Sequence, residues 1–283
     1  VEAAGLKFIG PAASWLERMG EKTQARQWMR ENGFPMHAGS ELILDQAMLL
    51  KEAESIGYPV MLKPAAGGGG IGMTVAEDSD ALIAAYATAT NISERTFGQS
   101  TIFLEKFLRD SRHVEIQLIG DGESVMALYE RDCSVQRRHQ KLIEESPAPN
   151  IARADIDELS RRAVETLAGY DSLGTVETMY SQGRFGFLEM NTRLQVEHGV
   201  TEEVTGLDLV GLQVCIASGE KLSSLLHERP ELDGYAIEAR LYAEDPVSML
   251  PCPGHLSVFR VPEMEGVRIE ACYREGNTVT PYY

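Results

Sequence analysis

The sequence predicts an α+β fold whose strands pair mostly antiparallel. Three observations carry this reading. Strand runs near 101–107, 112–119, 125–132 and 135–143 follow one another with no helical pattern between them, helical patterns bracket the group, and residues 173–191 read as a hairpin turning at Ser181 to Arg184. In chain order, residues 20–32 and 45–56 look helical and stop at Gly33 and Gly57, which suit the position after a helix C-terminus. YPVMLK (58–63) is a short buried strand, MTVA (73–76) is a second one, and Asp78 caps a helix running to about Thr90. A helix over 155–168 precedes the hairpin, and another covers 207–217. The polar segment GEKLSSLLHERPELDGY (219–235) reads as a boundary, beyond which 235–283 shows only strand and turn signals. No internal repeat or low-complexity tract interrupts the chain.

With 283 residues, 43% hydrophobic and 24% charged, the chain can fill two or three packed units. A net charge of -17 argues against a phosphate-backbone binder, because nucleic-acid affinity relies on a basic surface and released counterions. A local cluster of Lys and Arg can still hold one nucleotide. Cys133, Cys215, Cys252 and Cys272 show no CxxC spacing, so neither a disulfide framework nor a zinc site is suggested. No apolar run approaches the roughly 18 residues of a membrane span, and no signal pattern opens the chain. A cytoplasmic protein with no membrane or nucleic-acid partner is expected.

The glycine run KPAAGGGGIGM (63–73) is the first chemical motif. Gly67, Gly69 and Gly72 formally satisfy GxGxxG, but the β-branched Thr74-Val75 follows where a dinucleotide site needs a helix. A Walker A loop also fails, for want of a Lys-Ser/Thr pair. What remains is a glycine hairpin between strands, whose N–H groups can close over phosphates; a surface turn is the alternative, at an entropic cost. Lys63 ends the strand entering that loop, and Lys22 starts a helix after MGEK.

The stretch FGFLEMNTRLQVEH (185–198) opens as a strand and then places Glu189, Asn191, Arg193, Gln195 and Glu197 at every second residue, on one face for as long as the chain stays extended. A three-residue loop, Gln182 to Arg184, sets Ser181 opposite Phe185 and Glu177 opposite Glu189; a two-residue loop sets Glu177 opposite Leu188 instead. Paired across strands, the two carboxylates repel unless a cation lies between them. With Asn191 they are hard oxygen ligands of the kind Mg²⁺ takes. A solvated acidic strand is the alternative. ERDCSVQRRHQKLIEE (130–145) holds a basic centre, Arg137, Arg138, His139 and Lys141, and regular alternation aims Gln136 away from His139 and Lys141. A bulge or turn is needed if all three reach one site.

Taken in order, MGEK, YPVMLKPAAGGGGIGM, RHVEIQ, ERDCSVQRRHQKLIEE, LEMNTRLQVEH and EARLYAEDP resemble the motifs of biotin carboxylases, the ATP-grasp components of acetyl-CoA, propionyl-CoA, pyruvate and urea carboxylases. The resemblance covers essentially the whole chain. It implies an ATP-grasp fold followed by the start of a β-rich C-terminal subdomain, divided as 1–19 (end of an N-terminal subdomain), 20–222 (ATP-grasp, with a lid over about 35–107) and 223–283. It implies Lys22, Lys63, Gly67, Gly68, Gly69, Gly70, Gly72, Glu105, Lys106, His113, Gln136 and His139 around ATP. Glu177, Glu189 and Asn191 are implied to hold Mg²⁺ or Mn²⁺. Lys141, Arg193, Gln195, Val196 and Glu197 are implied to surround bicarbonate, with Glu197 as the base and Arg240 near the biotin ureido oxygen. The implied partners are a biotin carboxyl carrier, a carboxyltransferase and a second copy in a homodimer.

Some positions depart from the family pattern: Ala66 and Ile71 in the glycine loop, and Gly199 after VEH. The chain opens within the end of the N-terminal subdomain and stops at TVTPYY, so parts of the biotin pocket and dimer face are expected to lie outside it, leaving open whether the chain alone is active. Another ATP-grasp ligase, of the carbamoyl-phosphate synthetase kind, and a catalytically idle nucleotide-binding module are the competing readings.

Overall fold

The computed structural model describes residues 1–65, 72–98, 101–138 and 140–282. They form two compact units, Val1–Ala239 and Arg240–Tyr283.

The first unit begins with α1 (Ala13–Gly20), for which the sequence suggested no element, and α2 (Lys22–Glu31), which matches the helix expected over 20–32. Glu21 separates them. Its extended backbone ends α1, and its carboxylate accepts the amides of Thr23 and Gln24, capping α2 and leaving Lys22 at the first helical position. A small lobe follows: α3 (Gln46–Ile56), β1 (Val60–Pro64), β2 (Thr74–Ala76), α4 (Ser79–Phe97) and β3 (Ile102–Lys106). Asp45 and Asp78 cap its helices, and α4 outruns its expected end to stop at left-handed Gly98. The strands pair antiparallel in the order β2-β1-β3. Val60 and Leu62 point into a core with Leu49, Ala53, Leu82, Ile102 and Leu104. By alternation Met61, Lys63, Phe103 and Glu105 share the other face.

The larger part is a six-stranded antiparallel sheet in the order β8-β7-β4-β5-β6-β9. Its strands are β4 (Arg112–Gly120), β5 (Val125–Arg137), β6 (Gln140–Ser146), β7 (Leu173–Ser181), β8 (Arg184–Asn191) and β9 (Ala236–Ala239). Between and after them run α5 (Arg153–Thr166), α6 (His198–Thr205), α7 (Leu209–Ala217) and α8 (Leu222–Leu225). Val114, Ile116, Leu118, Val176 and Met190 bury one face with Trp15, Met29, Ile156 and Leu159. The opposite face is apolar only at one end, where Ile119, Leu128 and Leu173 meet Leu209, Ile216 and Leu222. The rest of it carries His113, Glu115, Gln117, Thr175 and Glu177, all buried.

Two expectations change here. The strand expected over 135–143 is instead the end of β5 and the start of β6, with Arg138 at φ 52° in the turn, so Gln136 lies directly opposite Lys141. The hairpin of β7 and β8 turns on two residues, Gln182 and Gly183, both at positive φ, and Ser181 faces Arg184, not Phe185. A bulge at Leu188 then adds the missing residue, and Glu177 faces Glu189 after all.

Close packing fixes Gly186 in β8. A Cβ there would fall 2.6 Å from the His37 backbone nitrogen and 2.2 Å from its ring, in the segment joining α2 to the small lobe. Gly186→Ala is therefore expected to lose roughly 1–3 kcal/mol by overpacking, read as a lower denaturant midpoint. In the second unit β10 (Gly254–His255) pairs antiparallel with β11 (Thr278–Val279), fewer strand residues than the sequence suggested.

Candidate active site

Register builds the site before any side chain is considered. Arg131 on β5 faces Glu115 on β4, Glu115 faces Glu177 on β7, and Glu177 faces Glu189 on β8. Three acidic residues thus stand in one row across neighbouring strands, an arrangement that repels itself unless cations are interleaved. Lys141 supplies one from β6. Its ammonium lies 2.5 Å from Glu115 Oε2, 3.0 Å from Glu177 Oε1 and 2.6 Å from Glu197 Oε1. Burial opposes its charge, but Glu115 and Glu177 outweigh it and raise the Lys141 pKa.

Glu177 is the most heavily engaged carboxylate. Its Oε1 accepts from Lys141, from Asn191 Nδ2 at 2.8 Å and from Gln195 Nε2 at 2.9 Å, while Oε2 lies 2.8 Å from His113 Nε2. Burial raises its pKa, yet His113 and Lys141 prevail and hold it down at about 2. The same contact acts on His113: burial disfavours the imidazolium, Glu177 favours it more, and the pKa rises above 6.5. Gln136 Nε2 lies 2.8 Å from His113 Nδ1 and donates to the Cys133 carbonyl at 2.8 Å. Burial, then Glu115, push the Cys133 thiol well up, which leaves it an inert proton-bearing group.

These shifts set a pH dependence. A raised His113 pKa stabilises the fold below its unfolded value near 6.5, and that stability is lost as pH rises through the folded value. A depressed Glu177 pKa stabilises it above 4.5 and is lost as pH falls toward about 2. Denaturant midpoints measured from pH 6 upward are expected to fall more steeply for the wild type than for His113→Gln; parallel curves would contradict the ion pair.

The extended face expected through Glu197 ends at Asn191, the last residue of β8. A turn then delivers Gln195 and Glu197 into the buried cluster, whereas Arg193 is exposed with Nη1 on the Leu194 carbonyl, and Val196 is 62% exposed. Glu197 immediately precedes α6.

Glu189 stands outside the tight cluster. Its carboxylate lies 3.8 Å from Lys22, and both line a cavity of ≈ 360 Å³ with Met19, Gly20, Asn191 and Thr192. Among the described His, Cys, Asp and Glu residues, the ligand atoms that converge closely are those of His113–Glu115–Glu177 and Glu115–Cys133–Glu197. The donor set of Glu177, Glu189 and Asn191, two carboxylates on facing strands and a carboxamide oxygen, suits a hard divalent cation.

On the small lobe, Lys63 pairs with Glu105, whose other oxygen takes Arg26 from α2. Burial raises the Glu105 pKa; Lys63 and Arg26 bring it down. Lys106 does not join them, because its ammonium caps the chain after α3 on the carbonyls of Gly57 (2.9 Å) and Tyr58 (2.8 Å). Gly72 has φ 77°, and a Cβ there would lie 3.1 Å from Pro64 Cγ. Gly67, Gly68, Gly69, Gly70, Ala66, Ile71 and His139 lie outside the described residues. Arg240 opens the second unit.

Sequence reasoning passed over Glu115, Arg131 and Arg26. The signal for the first was present: His113, Glu115 and Gln117 alternate with Val114, Ile116 and Leu118 in a strand buried on both faces.

Residues 21–225 match the model of the carbamoyl-phosphate synthase L chain ATP-binding domain, and residues 238–283 that of the biotin carboxylase C-terminal domain. A biotin carboxylase of Halalkalibacterium halodurans is 47% identical over 99% of this chain and 63% of its own length. The Campylobacter jejuni biotin carboxylase–β-γ-ATP complex superposes with a TM-score of 0.95 at 40% identity, over 100% of this chain and 64% of that one. The biotin carboxylase domain dimer of Hydrogenobacter thermophilus 2-oxoglutarate carboxylase, in complex with MgADP, ADP and bicarbonate, gives 0.94 at 38% identity, over 100% and 63%. The chain therefore spans a little under two thirds of these relatives. Its helices and antiparallel sheets form the ATP-grasp fold of those structures, followed by the start of a C-terminal subdomain. By the extent of these matches the chain belongs to the family of carbamoyl-phosphate synthase L chain ATP-binding domains, in the form that biotin carboxylases carry.

Proposed function

We propose that the protein containing this chain carboxylates biotin with ATP and bicarbonate, the first half-reaction of a biotin-dependent carboxylase. The observation that carries the reading is the convergence of Lys141, Glu177, Gln195 and Glu197 on one buried point beside the Asn191–Glu189 groove. In this reading bicarbonate enters beside Lys141 and Arg193, which balance its charge. Glu197 takes the O–H proton. The freed oxygen attacks the γ-phosphorus, the bond to the β-bridging oxygen breaks, and ADP and carboxyphosphate result. Lys63 and Lys22 neutralise phosphate charge, with Gly67–Gly70 and Gly72 over the phosphates and Gln136, His139 and His113 at the nucleotide. The backbone beside Glu105 and Lys106 is the part of that pair left to meet the base, since both side chains are already held.

Glu177, Glu189 and Asn191 would hold Mg²⁺ or Mn²⁺. When bound, the cation would supply positive charge against the developing phosphate charge. Biotin would arrive on a carrier protein, with Arg240 as the candidate partner of its ureido oxygen and a carboxyltransferase as the next station. A cytosolic homodimer is the proposed setting, the dimer resting on the Hydrogenobacter domain dimer. The match of 238–283 to the biotin carboxylase C-terminal domain favours this over a carbamoyl-phosphate-forming ligase. Full-length protein should hydrolyse ATP only with bicarbonate present and faster with free biotin. Ammonia-dependent carbamoyl phosphate formation would instead support the other ligase.

A further inference from the structure

Arg131 takes no part in the reaction sketched above, yet it heads the fully buried side chains by size. Its guanidinium is spread over four segments. Nε donates to Glu115 Oε1 at 2.7 Å, and Nη1 to Gln117 Oε1 at 2.7 Å, both on β4. Nη1 also donates to Thr201 Oγ1 on α6 at 2.8 Å. Nη2 reaches Thr175 Oγ1 on β7 and Gln195 Oε1 in the turn after β8, each at 3.3 Å. A mere counter-ion for Glu115 would need one of these contacts. The others are neutral oxygens, and two of them, Gln195 and Thr201, lie on either side of Glu197 in sequence. The second oxygen of Glu115 meanwhile holds Lys141 at 2.5 Å. One planar group therefore ties both partners of the Lys141–Glu197 contact to the sheet.

We propose that Arg131 is a positioning residue that clamps the 195–201 segment against β4 and β7, so that Glu197 and Lys141 face bicarbonate in register. The inference rests on the biotin carboxylase reading for its substrate, but the clamp itself is a property of the fold. Arg131→Lys keeps one charge for Glu115 while an ammonium lacks the fork to reach Gln195 and Thr201 as well. Thr201→Val removes one side-chain acceptor with little change in shape and leaves the side chains of Lys141 and Glu197 in place.

In full-length protein, both variants should speed amide hydrogen exchange across 193–201 by about tenfold or more, with β7 amides unchanged. Both should also raise KM for bicarbonate by about tenfold or more while KM for ATP stays within about twofold. Unchanged exchange across 193–201 would overturn the clamp, and so would equal rises in both KM values, which mark a general loosening. Should Arg131→Lys fail to fold, Thr201→Val decides by the same readouts. A wild type with no bicarbonate-dependent turnover would refute the reaction instead, and the exchange pattern would still settle the clamp.

Discussion

Replacing Lys141 with Met is expected to destabilise the protein by roughly 3–5 kcal/mol, the usual consequence of removing one partner from a buried ion cluster. The ammonium touches Glu115, Glu177 and Glu197, and all three carboxylates are almost fully buried. Without it Glu115 and Glu177 keep Arg131 and His113 as their counter-charges among the described residues. The strain can be relieved by taking up a proton, so the loss should be larger at pH 8 than at pH 5. Adding Glu115→Gln to the variant should recover part of it. Urea unfolding at the two pH values checks both statements. A small, pH-independent loss would mean that the row is not electrostatically coupled.

If Glu197 is the general base, as proposed, Glu197→Gln is expected to lower bicarbonate-dependent ATP turnover by about 10²–10⁴-fold, the range for removing such a group. Glutamine keeps the shape and can still accept from Lys141 through its carbonyl, so the turn before α6 should persist. Affinity for the nucleotide should change by no more than about twofold, because the residues proposed for ATP lie elsewhere. Equilibrium binding of ADP beside steady-state turnover separates the two effects. A matching loss of nucleotide affinity would point to collapse of the site rather than loss of a base.

Much of the architecture was legible because periodicity and caps are local signals. Asp78, Gly57 and the alternation in 112–119 gave an element type and an edge each. Register was harder, since it depends on turn geometry and on bulges. The pairing of Glu177 with Glu189 was anticipated from a three-residue loop, but it arises from a two-residue turn offset by the bulge at Leu188. Two errors cancelled. The break between β5 and β6 was missed because Gln136 to Lys141 carries neither Gly nor Pro; left-handed Arg138 makes the turn.

The run from Glu189 to Glu197 looked like a single face because period two fits any alternating sequence, and nothing local announced that extension stops at Asn191. Helix α6 went unread for the same reason: Val200 and Val204 are its only spaced apolar pair on the buried side before Gly206 ends it. Lys106 shows the limit of motif reasoning. The motif implies a place for it beside ATP, while its ammonium serves the chain end of α3. Arg131 was invisible as a hub because its five acceptors come from residues between 115 and 201, and a contact map is not written in spacing.

In the proposed reaction bicarbonate itself accepts the γ-phosphoryl group at the Lys141–Glu197 point. Turnover with ¹⁸O-labelled bicarbonate in unlabelled water tests it most directly, with the released phosphate weighed by mass spectrometry. The oxygen that bonds phosphorus stays with it when the intermediate later loses CO₂, so each phosphate should carry one label. Phosphate free of label would show that water, not bicarbonate, attacks phosphorus.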